Sequence, residues 1–189
     1  MDEAEAIRRC QRGDRDGFRI LVERCGRVLY GTAYLITRDA GLAEDLVQEA
    51  FLQAWRGMPS FRPGGSFKPW ILRILVNQAM TKRRKRRVIE APLPEGMATP
   101  DTSKSVEELV LEDEERQHIG RILEILPHEQ RKTVVLRYYA DLTVPEIARA
   151  LGCREGTVKS RLHRALARLR EVPLEARQQP SLREGKGAS

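Results

Sequence analysis

Lys159, Ser160, His163 and Arg164 carry the donors that bind phosphate oxygens and base edges, and they recur at helical spacing. At roughly 100° per residue, Ser160, His163, Arg164 and Ala167 line one face of a helix, with Lys159 on its flank. Val158, Leu162, Ala165 and Leu169 line the opposite, apolar face. Thr157, at the start of the same helix, completes this set of candidate contacts. Such a helix needs a support. Thr143 and Glu146 have the T-x-x-E spacing of a capping box, and Pro145 falls in the first turn, where a missing N–H costs little. Ile147, Ala148 and Leu151 give the support helix a buried face, and Gly152 tolerates the left-handed conformation that turns the chain. A short basic helix held on a first helix is the geometry that enters a DNA major groove. The alternative is a helical hairpin whose charges are merely solvated.

A second set of candidate nucleic-acid ligands lies between Phe61 and Arg87. Phe61, Phe67 and Trp70 bracket a Pro/Gly loop, with Arg62 and Lys68 beside them. The helix that follows ends in KRRKRR, an unbroken cation run from Lys82 to Arg87 that includes Arg84. Aromatics beside cations can hold an unstacked base while the charges track phosphates. Phe61 and Arg62, on the loop itself, are the better candidates, whereas Trp70, in register with Ile74, reads as core. Arg73 and Asn77 share the helix, and the Asn77 amide can bond a base edge or a phosphate. The competing reading is an aromatic core with a solvated basic helix end.

Asp45, Gln48, Glu49, Leu52 and Arg56 form a third surface. They fall within about one third of a helix circumference, away from Leu46, Val47, Ala50 and Phe51. Acidic and amide groups are poor DNA ligands and suit a basic protein partner better. A solvated polar face explains them equally well.

Enzyme chemistry finds little to use. His118, His128 and His163 are scattered over separate segments, and neither an H-E-x-x-H pattern nor a phosphate-binding Gly loop occurs. Cys10, Cys25 and Cys153 form no C-x-x-C pair, which suits thiols in a reducing cytosol. No catalytic residue, metal or cofactor is expected. With 34 Lys+Arg against 27 Asp+Glu the net charge is +7, an excess that attracts polyanions. No signal peptide or membrane-spanning apolar run is evident, so a soluble cytoplasmic protein without membrane insertion is expected.

The elements that must position these groups are all helical. Residues 1–87 form a first block with predicted helices over Ala4–Arg12, Asp16–Ile36, Ala40–Arg56 (capped by Asp39) and from Lys68 or Pro69 onward. Met58 to Ser66 reads as a loop. Residues 88–106 hold three prolines and few large apolar residues, and read as a flexible linker. Extended, it reaches on the order of 60 Å, nearly two turns of B-DNA at ~34–36 Å per turn. Residues 107–171 form a second helical block: an acidic helix through Leu126, a break at Pro127, a helix over Glu129–Tyr139 and the helix-turn-helix. The tail, 172–189, reads as disordered. The fold class is therefore all-α, two small helical domains joined by a linker, without a sheet.

Three stretches together carry a family likeness: AEDLVQEAFLQAW at 43–55, FRPGGSFKPWILRILVNQAM at 61–80 and EIARALGCREGTVKSRLHRALARLR at 146–170. The chain resembles the bacterial RNA polymerase sigma factors of the extracytoplasmic-function group, from about Ala6 to Arg170. The resemblance implies a monomeric factor that binds core RNA polymerase, reads promoter DNA and is held by an anti-sigma factor. It implies that Asp45, Gln48, Glu49 and Leu52 dock on the clamp helices of the polymerase's largest subunit. Phe61, Arg62, Lys68, Arg73, Asn77 and Arg84 would read and open the −10 element. Thr157, Lys159, Ser160, His163 and Arg164 would read the −35 element, the second domain packing against the polymerase flap. Two positions depart from common usage: Thr81 where many members carry Asp, and Arg154 where Ser or Pro often opens the recognition helix.

Overall fold

Local capping chemistry sets most of the helix starts. The computed structural model describes residues 2–62, 64–88 and 106–173, with side chains for 2–62, 64–82 and 115–173. Helix α1 (Glu3–Gln11) leads to α2 (Arg15–Thr37), whose first amides, Asp16 and Gly17, donate to Asp14 Oδ1. Asp39 opens α3 (Ala40–Gly57) by accepting the Leu42 N–H at 2.9 Å. A 3-10 turn at Met58–Ser60 and a loop then precede α4 (Phe67–Val88). This helix starts slightly earlier than predicted because its cap is borrowed: Glu3 of α1 accepts the Phe67 N–H at 3.1 Å.

The second block comprises α5 (Val106–Leu123), α6 (His128–Val134), α7 (Val144–Leu151) and α8 (Glu155–Arg170). Two expectations need adjusting. The acidic helix stops at Leu123, not Leu126, and Leu126 N–H closes a short turn onto Leu123 before Pro127. The single helix expected over Glu129–Tyr139 widens into a π turn at Val135–Tyr139, where Ala140 N–H reaches back to the Val135 carbonyl at 3.0 Å. Among the described residues there is no strand. The expected linker lies outside the described residues from 89 to 105, and the tail from 174.

Packing explains why the aromatic residues fall where they do. All four Phe and both Trp belong to the first block. They form one edge-to-face chain, in which Phe18 touches Phe51, Trp55 and Phe67, and Phe61 touches Phe67 and Trp70. Phe67, Leu21, Leu29, Leu46 and Ile71 lie fully buried around it. In the second block Leu136, Leu142, Ile147, Val158 and Ala165 do the same for the helix-turn-helix.

The blocks are not held apart. Their buried apolar residues form one contiguous cluster. Helix α7 packs on α4, and α2 meets α5, α6 and the π turn. The sequence suggested two bodies at the ends of a long tether; apolar surface on α4 and α2 instead draws them together.

Candidate nucleic-acid interface

Helix α7 is held at its start by Glu146, whose Oε2 accepts the Thr143 N–H at 2.8 Å and its hydroxyl at 2.7 Å. Burial pushes the Glu146 carboxyl up, but the Thr143 bonds, then Arg149 and Lys68, more than offset this and hold it below the usual range. Gly152 ends α7 at φ 61°, a left-handed cap that sends the chain sharply into α8. Arg154 opens α8 without a side-chain cap, as its departure from the family pattern suggested.

Helix α8 presents the expected two faces. Val158 and Ala165 have no exposed surface, and Leu162 and Leu169 are half-buried. Lys159, His163 and Arg164 are exposed, while Thr157 and Ser160 are half-buried. Arg164 is steadied by Ser160: its Nε donates to the Ser160 carbonyl at 3.3 Å and its Nη2 to the hydroxyl at 3.2 Å. The whole helix is clasped from behind by Glu129 of α6. One carboxylate oxygen meets the buried Lys132 Nζ at 2.7 Å, and the other meets Arg161 of α8 at 3.0 Å. Burial raises the Glu129 carboxyl, but Lys132, Arg161 and His128 together pull it below its ordinary value. The result is a fixed platform offering a hydroxyl, an imidazole and two cations to an incoming groove.

In the first block the loop candidates divide. Arg62 is exposed, and Arg73 and Asn77 are exposed along α4. Phe61 is not: it is 7% exposed, with its ring 4.8 Å from Trp70, and its carbonyl accepts Gln11 Nε2 at 2.8 Å. The Phe61 ring thus packs into the aromatic chain beside Phe67 and Trp70. Trp70, read as core, is half-buried against Phe61 and Phe67. Lys68 is half-buried beside Glu146, and the Arg84 side chain lies outside the described residues.

On α3, Asp45, Gln48 and Glu49 are exposed and so is the apolar Leu52, at 58%. An exposed leucine flanked by carboxylates has the makeup of a protein-docking patch. Sequence reasoning missed its neighbour. Lys82, first of the cation run, turns back across the helix pair to Glu49 at 3.3 Å and Asp45 at 3.9 Å. Arg161, whose link to Glu129 fixes α8, was missed too; its half-buried place at the edge of the apolar stripe was the available signal. Among the described residues no cluster of His, Cys, Asp or Glu is arranged to hold a metal, and no helix is long and apolar enough to cross a membrane.

Fold and site together define a two-part helical protein with an exposed basic helix face on α8 and an exposed acidic face on α3. Residues 21–88 match the family model for sigma-70 region 2, and residues 116–169 that for sigma-70 region 4. The chain is similar to the ECF RNA polymerase sigma-E factor of Escherichia coli strain K12, 35% identical over 170 residues, covering 84% of this chain and 87% of that one. The RNA polymerase sigma-H factor of Pseudomonas aeruginosa is 32% identical over 191 residues, covering 96% of each. Among solved structures, CnrH in complex with the cytosolic domain of CnrY superposes with a TM-score of 0.67 at 25% identity, over 89% of this chain and 94% of that one. The sigma factor RpoE from Bartonella quintana, in complex with the anti-sigma factor NepR, gives 0.64 at 28% identity, over 82% and 94%. The chain belongs to the extracytoplasmic-function group of sigma factors, which bind core RNA polymerase and direct it to promoters.

Proposed function

We propose a division of labour over three surfaces. Thr157, Lys159, Ser160, His163 and Arg164 on α8 read the −35 element in the major groove. Arg62, Lys68, Arg73, Asn77 and Arg84 engage the −10 element, with Phe61 acting from inside: its ring and carbonyl hold the loop that displays Arg62. Asp45, Gln48, Glu49 and Leu52 dock on the clamp helices of the polymerase's largest subunit, and the second block meets the flap. The protein acts in the cytoplasm, without covalent chemistry and as a monomer when free. An anti-sigma factor is its expected inhibitor, since RpoE was solved with one.

The observation that carries this reading is the separation of chemistry by helix. Lys159, His163 and Arg164 are exposed on α8, and Asp45 and Glu49 are exposed beside Leu52 on α3. Run-off transcription with purified core polymerase and genomic templates tests it. Promoter-specific transcripts that need both the chain and core support the proposal. Tight, dimeric binding to a palindromic duplex without polymerase would favour an independent helix-turn-helix regulator instead.

A further inference from the structure

Helix α1 precedes residues 21–88, the stretch that matches the sigma-70 region 2 model, and it is fixed firmly to α2. Ala6, Ile7 and Cys10 are buried, and Gly17 of α2 brings the two backbones so close that a Cβ there would stand 2.9 Å from the Ala6 carbonyl oxygen. Arg9 pairs with Asp14 across the turn between the helices. Glu3, Ile7 and Gln11 recur at every fourth residue and so share one row of α1. The two polar ends of that row both reach the loop between Phe61 and Phe67. Gln11 Nε2 donates to the Phe61 carbonyl at 2.8 Å. Glu3 Oε1 accepts the Phe67 N–H at 3.1 Å and the Ser66 hydroxyl at 3.5 Å. Eight residues of helix rise about 12 Å, so one stiff strut sets the spacing of the loop's two ends.

Between those anchors the chain turns tightly. The Gly65 N–H reaches the Arg62 carbonyl at 3.2 Å, and Gly64 takes the left-handed conformation at φ 77°. Gly65 lies on the Phe61 ring, where a Cβ would stand 3.2 Å from it. Arg62, Gly64, Gly65 and Ser66 are all exposed. The turn therefore offers a cation and open backbone to a ligand, while both of its ends are held from α1. A loop held in advance pays less ordering entropy when its ligand arrives, and it tells close relatives of that ligand apart more sharply.

We propose that Glu3 and Gln11 are positioning residues for −10 recognition: α1 clamps both ends of the loop between Phe61 and Phe67, so that Arg62 and the neighbouring backbone meet an unpaired base in one fixed geometry. The effect on recognition rests on the −10 assignment of Arg62; the clamp itself does not.

Hydrogen exchange read by NMR in the free full chain tests the clamp. Glu3→Ala should speed exchange of the Phe67 amide at least about fivefold, the scale of one lost hydrogen bond. Glu3→Gln keeps the accepting oxygen and should leave that amide protected. Circular dichroism melting verifies that each variant is folded. Run-off transcription by the holoenzyme then reads the effect on recognition, using the chain's own promoter and versions with single base-pair changes in the −10 or −35 element. Arg62→Ala locates the −10 base pair that the loop discriminates. There the wild-type preference, roughly tenfold or more for one base pair, should fall below about threefold in Glu3→Ala and in Gln11→Leu. Preferences within the −35 element should stay as they are, whereas a merely structural loss would lower every template alike. Unchanged Phe67 exchange in Glu3→Ala, or Glu3→Gln no better than Glu3→Ala, overturns the clamp. A −10 preference kept by both α1 variants where Arg62→Ala loses it overturns the positioning role. If Arg62→Ala leaves every −10 preference intact, the −10 assignment falls and the positioning role with it, while the exchange result still stands for the clamp.

Discussion

Removing the charge of Glu129 should loosen the second block more than any single surface change on it. The carboxylate holds Lys132 at 2.7 Å and Arg161 at 3.0 Å, and Lys132 is 2% exposed. Glu129→Gln keeps the shape and leaves a buried ammonium facing a neutral amide. Breaking a fully buried pair costs about 3–5 kcal/mol. Glu129 itself is 50% exposed, so water screens part of that field, and about 2–3 kcal/mol is expected. Urea unfolding followed by circular dichroism reads this as a midpoint lowered by about 1–1.5 M for a slope of about 2 kcal/mol per M. The informative control is Glu129→Gln with Lys132→Met, which removes both charges and should recover most of the loss. A single variant within about 0.5 kcal/mol of wild type, the scatter of a neutral surface change, would refute the clasp. So would a double variant no better than the single.

Other outcomes follow from the same geometry. Glu129 and Glu146 both titrate below their ordinary values, so the stability they confer is present above the unfolded glutamate value near 4.3. It is lost as pH falls through their lower folded values, an acid-unfolding limb that Glu129→Gln should reduce. Arg164→Ala should lower transcription from the chain's own promoters roughly tenfold, for a contact of about 1–3 kcal/mol, while pull-down of core polymerase stays intact. Asp45→Arg should do the reverse, weakening the polymerase complex in gel filtration and sparing duplex binding by α8. Gly152→Ala forces a side chain into the left-handed region at φ 61° and should cost about 1–2 kcal/mol, read as a lower melting temperature.

Legibility differed sharply between local and long-range features. Asp39, Thr143 with Glu146, and Gly152 each announce a helix end within a few residues, and the helices begin and stop there. The basic face of α8 was legible because period alone separates it from Val158 and Ala165. What the sequence could not show depends on residues far apart in the chain. Glu3 caps α4 across more than sixty positions, and Lys82 folds back onto Asp45 and Glu49. Phe61 illustrates the cost of local reading: beside Arg62 on a Pro/Gly loop it looked free, yet Phe67 and Trp70 enclose it. The π turn was equally hidden, since a helix-forming run gives no sign of where an extra residue will be accommodated. Cys10 and Cys25, expected as small buried or surface thiols, are buried with their pKa pushed up to about 11 by desolvation, so they stay protonated and unreactive at neutral pH.

On the docking surface proposed for α3, the position of Lys82 would make binding of a basic partner an ion exchange rather than a simple addition. Asp45 and Glu49 already hold a counter-ion of the chain's own, and a cation arriving on α3 must evict it. The evicted ammonium belongs to the run that continues into Arg83 and Arg84. Occupying the acidic surface therefore adds one free positive charge to the basic one. If α3 is the docking surface proposed above, occupying it would raise the pull on DNA with no backbone movement, through the swing of a single side chain.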